Sequence, residues 1–142
     1  MVLYAKDILA KDFLSFSRGT SILEAARAMK ASKHGFAIVG SPNAPEGIVT
    51  EWDVVSKVVA EGKDPAVVTL GEVMTVELFT VKANEGIATV AKVMSEKGVR
   101  RMLVKDGDRV VGYITEKTVL ANLEDYVDRV SAQISRLQAP WF

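Results

Sequence analysis

The sequence has no cysteine, one histidine, four prolines and no long apolar run. Without cysteine there are no disulfides, no thiolate zinc sites and no thiol nucleophile. With His34 as the only imidazole, a histidine-rich metal site or a Ser-His-Asp triad is not expected. Nothing approaches the roughly 18 consecutive apolar residues that read as a spanning helix. The opening run Met1-Val2-Leu3-Tyr4-Ala5-Lys6-Asp7 carries neither a charged leader nor an apolar core, so a signal peptide is not expected and the expected location is cytoplasmic. Net charge is missing too: 18 basic residues meet 18 acidic ones. That balance supplies no broad basic field for nucleic acid or an anionic membrane. What is present is ordinary for a soluble globular chain: 142 residues, 49% apolar and 25% charged. Such a chain buries roughly two-thirds of its unfolded surface, enough for a core without staples.

Self-comparison is more informative. Shifted by 65 positions, the two halves align without a gap: Ile22 with Ile87, Ala26 with Ala91, Met29 with Met94, Val39 with Val104. Gly47 meets Gly112, Thr50 meets Thr115, Glu51 meets Glu116 and Val54 meets Val119. Ile8 with Val73, Leu9 with Met74 and Ile38 with Leu103 are conservative matches in the same register. The chain therefore reads as one unit written twice.

Each copy predicts an extended piece (13–16; 78–81), a capped helix, a hairpin and a closing helix. Thr20 or Ser21 before Glu24 resembles a capping box, and Asn84 is the expected cap of the second copy. Apolar residues then recur at helical spacing: Ile22, Leu23, Ala26, Met29 and Ile87, Val90, Ala91, Met94. The hairpins join Phe36-Ala37-Ile38-Val39 to Gly47-Ile48-Val49 and Met102-Leu103-Val104 to Val110-Val111-Gly112-Tyr113-Ile114, through turn-forming runs. The closing helices are expected over 52–60 and 116–138. The expected class is α+β: two β-α-β-β-α motifs related by a pseudo-twofold, with an extended C-terminal helix. Motif 1 is placed at 4–62, a linker at 63–69, motif 2 at 70–124, and a helix extension and tail at 125–142. In the last helix, Leu120, Leu123, Val127, Val130, Ile134 and Leu137 alternate spacings of three and four. That seam suits either packing on its own domain or a homodimer contact. Trp52, Trp141 and Phe142 are read as core or interface residues.

The repeated chemical signal is Gly47-Ile48-Val49-Thr50-Glu51-Trp52-Asp53, echoed by Gly112-Tyr113-Ile114-Thr115-Glu116-Lys117-Thr118. Each lies where a strand gives way to a helix. One reading is local: Thr50 caps the helix and Asp53 returns the bond. The other is a ribonucleotide site, with phosphate at the helix start, a hydroxyl from Thr50, and Asp53 accepting from two ribose hydroxyls. No nucleophile, base and orienting group converge, and acidic residues never join His34 in metal-ligand order, so neither an enzyme nor a metal site is expected.

These features together resemble a tandem pair of CBS (cystathionine-β-synthase) domains, a Bateman module, over about residues 4–124. Each half opens on an acidic residue before apolar ones, Asp7-Ile8-Leu9 and Glu72-Val73-Met74-Thr75. Each carries a helical Met, Met29 or Met94, and closes on Gly-apolar-apolar-Thr-x-x-Asp, complete in the first half. The resemblance implies regulatory binding of an adenosine derivative (AMP, ADP, ATP or S-adenosylmethionine) and two related clefts between the motifs. Carried over residue by residue, the first cleft joins Gly47, Thr50 and Asp53 to Val73, Met74 and Val99-Arg100-Arg101-Met102. Asp53 would hold ribose, and Thr50 with an arginine would face phosphate. The second joins Thr115 and Thr118 to Ile8, Leu9 and His34-Gly35-Phe36-Ala37. There Thr118 replaces the family's Asp, so weaker binding is expected.

The expected function is thus an energy or metabolite sensor. It would act through ligand-induced population shift, as a homodimer, toward an effector protein. The alternative is a ligand-free dimerisation scaffold that docks partner proteins. A purified sample carrying a bound ultraviolet-absorbing nucleotide separates the two.

Overall fold

The computed structural model describes residues 3–136. Motif 1 runs α1 (Ala5–Ile8), β1 (Leu14–Phe16), α2 (Ile22–Ser32), β2 (Phe36–Ser41), β3 (Ala44–Thr50) and α3 (Glu51–Val54), which continues as a π turn over Val55–Val59. Motif 2 repeats the order with α4 (Leu70–Val73), β4 (Thr80–Lys82), α5 (Ile87–Lys97), β5 (Arg101–Asp106), β6 (Arg109–Thr115) and α6 (Glu116–Ser135). Each sheet has three strands, with the first parallel to the second and the second antiparallel to the third. Even the irregularities repeat: the hairpin register shifts after Val39 in one copy and after Val104 in the other.

Local sequence explains the helices. Ser21, not Thr20, caps α2, its hydroxyl accepting from the Glu24 N–H at 3.2 Å. Ile22, Ala25 and Met29 then fall on one buried face, as do Ile87, Val90 and Met94 of α5. The expected cap at Asn84 is not the one used. Gly86 occupies the N-cap position, with no side-chain bond. Backbone serves the helix start instead: Gly86 bridges Tyr4, and the Leu3 carbonyl accepts the Ile87 N–H at 2.9 Å.

That bridge belongs to a pattern that no single repeat shows. Tyr4–Gly86 has a symmetric partner in Ser21–Thr69, and Ala10–Tyr113 has one in Ile48–Thr75. Each motif's opening turn therefore docks on the other motif. Ala5 of α1 is buried with Val81, Ile87, Val90 and Ile114 of motif 2, with Ile8 and Leu9 packed against the same cluster. Leu70 and Val73 of α4 are buried with Ile22, Ala25, Val39 and Val49 of motif 1. A third cluster, Phe36, Ile38, Leu103 and Val110, joins the two sheets. The pseudo-twofold is thus held by exchanged openings and a shared apolar seam.

Two helix expectations need correction. The segment 52–60 is not a single α-helix, because the Ala60 N–H reaches back five residues to the Val55 carbonyl at 2.8 Å. The seam on α6 is divided. Leu123 packs on the motif 2 core, whereas Leu120, Val127 and Ile134 are 63%, 58% and 63% exposed. Leu137, Gln138, Trp141 and Phe142 lie outside the described residues.

Candidate functional site: the cleft between the motifs

A cleft of about 660 Å³ opens where the two motifs meet. Motif 1 supplies Ile48 and Thr50 from β3, then Glu51, Trp52 and Asp53 from α3. Motif 2 supplies Thr75, Glu77 and Phe79 before β4, Gly98, Val99 and Arg100 between α5 and β5, and Arg101 at the start of β5. The volume lies within the range of small-molecule sites, and the walls are mostly apolar with a few polar groups. Five of the residues expected for the first site therefore share one cleft: Thr50, Asp53, Val99, Arg100 and Arg101.

The Thr50–Asp53 pair forms the local capping box. Asp53 Oδ2 accepts from the Thr50 N–H at 2.8 Å and the Thr50 hydroxyl at 3.2 Å, and the Thr50 Oγ1 lies 3.4 Å from the Asp53 N–H. Asp53 Oδ1 pairs with Lys57 Nζ at 2.9 Å, while Lys57 also donates to the Val73 carbonyl at 2.8 Å. Asp53 is only 6% exposed, the buried charged residue of the described core. Its satisfaction by two donors of Thr50 and one of Lys57 is what burial of a carboxylate demands. The helix start is likewise partly used, because the Gly35 carbonyl accepts the Glu51 N–H at 2.9 Å. The free-donor picture drawn from sequence is corrected to that extent.

The two arginines differ. Arg100 is 87% exposed on its side chain, with Nε 3.8 Å from Glu116 Oε1. Arg101 lies with its guanidinium 4.6 Å from the centre of the Phe36 ring, a cation–π arrangement. Burial pulls the Arg101 pKa down from its ordinary value, against the pull of Glu51 and then of Tyr113. Its Nε is buried without a hydrogen-bond partner.

Four expected residues do not line this cleft. Met102 is 1% exposed in the motif 2 core, and Val73 is 5% exposed in the motif 1 core. Met74 instead covers Gly47: a Cβ there would lie 2.8 Å from Met74 Sδ and 2.9 Å from the Thr75 carbonyl oxygen. Gly47 is glycine for close backbone approach. The opening turn of motif 2 reaches the wall through Thr75, paired with Ile48, rather than through Val73 and Met74.

The residues of the second expected site are differently placed. Thr115 and Thr118 hydroxyls lie 3.1 Å apart, and Thr115 Oγ1 accepts from the Thr118 N–H at 3.3 Å. Phe36 and Ala37 are buried, while Ile8 and Leu9 pack on the motif 2 core. His34 Nε2 stands 3.6 Å from Asp12 Oδ2, and Gly35 lies against Glu51 and Arg101.

Sequence reasoning misses Ile48, Glu51, Trp52, Thr75, Glu77, Phe79 and Gly98 as wall residues. Trp52 has a signal, since it stands inside the Thr-x-x-Asp run and is 69% exposed. Glu77 and Phe79 have none, because only the exchanged opening turns bring them to α3. No group of three or more metal-ligating side chains, and no helix long and apolar enough to cross a membrane, occurs among the described residues.

Comparison with known proteins bears on this geometry. The sequence model of the CBS domain matches residues 5–60 and again 70–125. An uncharacterised protein of Methanopyrus kandleri is 31% identical over 125 residues, covering 85% of this chain and 62% of that protein, so the chain spans less than two-thirds of that relative. Hypoxic response protein 1 of Mycobacterium tuberculosis is 31% identical over 123 residues, 86% of each chain. The solved structure of a hexameric CBS-CP12 protein from bloom-forming cyanobacteria matches at a TM-score of 0.75 and 31% identity, over 84% of this chain and 67% of that one. With two family matches in one register and the folded pair they describe, the chain belongs to the CBS-domain family as a tandem pair.

Proposed function

We propose that this CBS pair is a regulatory module that takes an adenine nucleotide, AMP, ADP or ATP, into the cleft at Thr50 and Asp53. The observation that carries the reading is the Arg101 Nε, buried and unpaired beside that cleft. An unmet buried donor costs about 1–3 kcal/mol, and a ligand oxygen would satisfy it. Around it stand Arg100 for phosphate, Asp53 with a lone pair left for ribose, and Trp52, Phe79 and Val99 for the base. Because both motifs build the wall, a ligand there favours one arrangement of the pair over others, and an effector protein reads that shift.

The experiment follows Trp52 emission in a Trp141→Phe background during titration with AMP. The expected result is a saturable change, shifted to roughly tenfold higher AMP by Arg100→Ala, as befits loss of one charge-assisted contact. No saturable change, or an identical curve for the variant, contradicts the reading. One observation favours the alternative, a scaffold with empty clefts: Asp53 already has partners in Thr50 and Lys57. A flat titration selects that alternative.

The second part of the proposal is self-association. Val55 and Val59 are 49% and 66% exposed after α3, and Leu120, Val127 and Ile134 are exposed on α6. Exposed apolar residues at helical spacing suit a partner helix. Light scattering is expected to give a particle of twice the 15.4 kDa chain. Val127→Glu with Ile134→Glu is expected to halve that mass with the circular dichroism unchanged. A wild-type monomer counts against the idea.

A further inference from the structure

The two clefts share one backbone frame. Ile48 exchanges both backbone hydrogen bonds with Thr75 at 2.9 Å, and its repeat partner Tyr113 exchanges both with Ala10 at 2.9 Å. Any difference between the clefts at this wall is therefore a difference of side chain. Ile48 lines the first cleft, whereas Tyr113 carries a ring among Asp12, His34 and Phe36, the repeat counterparts of Glu77, Val99 and Arg101 in the first cleft's wall. That ring stands edge-on to Phe36, 4.9 Å between centroids at 74°, and to His34, 6.4 Å at 82°. Its hydroxyl donates to Asp12 Oδ1 at 3.4 Å, and the other oxygen of Asp12 faces His34. Burial, and then the Asp12 carboxylate, push the Tyr113 pKa above its ordinary value, so the hydroxyl keeps its proton as a donor.

We propose that Tyr113 fills the second cleft and, held by Asp12, makes this a module with one open ligand site; once vacated, the second would accept an uncharged nucleoside rather than a nucleotide. The class of ligand follows from the walls. Gly35 and Phe36 stand where the first cleft has Arg100 and Arg101, and Thr118 stands where it has Asp53. The cation that does reach the second cleft, Arg101, is already engaged over the Phe36 ring and beside Glu51, while Phe36 and His34 offer ring edges to a base. The binding arm of the test rests on the nucleotide reading of the first cleft; the structural arm does not.

Two reciprocal variants test it, each solved by crystallography and titrated with AMP and with adenosine. Tyr113→Ile copies the residue that the same frame already holds at position 48. It is expected to open a cleft over Thr115 and Thr118 and to raise adenosine stoichiometry from one to two per chain, with AMP remaining at one. Ile48→Tyr is expected to close the first cleft and weaken AMP at least tenfold. A Tyr113→Ile structure in which the second cleft stays closed overturns the proposal, as does wild-type protein with two equal AMP sites. If Tyr113→Ile fails to fold, the Ile48→Tyr structure decides: a ring laid across the cleft supports the proposal, and a ring turned to solvent overturns it. If no protein binds AMP, the nucleotide reading has failed, and the crystal structures still decide the role of Tyr113.

Discussion

Asp53→Ala is expected to bind AMP about tenfold to a hundredfold more weakly than the wild type, by loss of a charge-assisted contact worth about 1.5–3 kcal/mol. The same change removes the acceptor of the Thr50 N–H and the partner of Lys57. Loss of such a cap costs about 0.5–2 kcal/mol of stability, so affinity and folding must be read together. Asp53→Asn separates them. Asparagine keeps an oxygen for the Thr50 N–H but loses the negative charge offered to ribose hydroxyls and to Lys57. The expected result is near-wild-type melting with affinity lowered almost as far as in Asp53→Ala. If Asp53→Asn binds AMP as tightly as the wild type, the carboxylate serves the helix start and not the ligand.

Gly112→Ala is expected to destabilise the fold severely, although it adds a single methyl group. A Cβ at 112 would run into the Ala10 carbonyl oxygen and lie 2.6 Å from Leu9 Cδ1. The obstacle is backbone, and that backbone is pinned by the paired bonds between Ala10 and Tyr113. Overpacking of about 1–3 kcal/mol adds to two weakened hydrogen bonds of about 1 kcal/mol each. A loss of about 3–4 kcal/mol lowers the melting temperature by about 10 °C for a chain of this size. Gly19→Ala is the control, because nothing lies within 4 Å of a Cβ there. Equal melting of the two variants would show that the opening segment of motif 1 does not press on β6 as described.

Much of this is legible in the sequence. The gapless repeat specifies two copies of one unit because apolar spacing, hairpins and helix starts recur together, and both sheets follow it. Thr50 and Asp53 are legible as a pair because a capping box is local, three residues apart. What is not legible depends on the other motif. Asn84 looks like a cap because the sequence does not show Tyr4 and Leu3 arriving to serve the α5 start. Val73 and Met102 are expected at the wall although their neighbours Thr75 and Arg101 reach it, since the register of an exchanged turn is set by a bridge to Ile48. Arg101 reads as a phosphate ligand. Its stacking on Phe36, 65 positions away, emerges only when the sheets are packed together. Tyr113 is inconspicuous because a tyrosine within a strand is ordinary until Asp12 and Phe36 are seen around it.

The central claim is that the cleft at Asp53, and that cleft alone, takes an adenine nucleotide. Calorimetric titration of the dialysed full chain with AMP tests it most directly. The account predicts one saturable site per chain. Absence of binding, or two equivalent sites per chain, would contradict it.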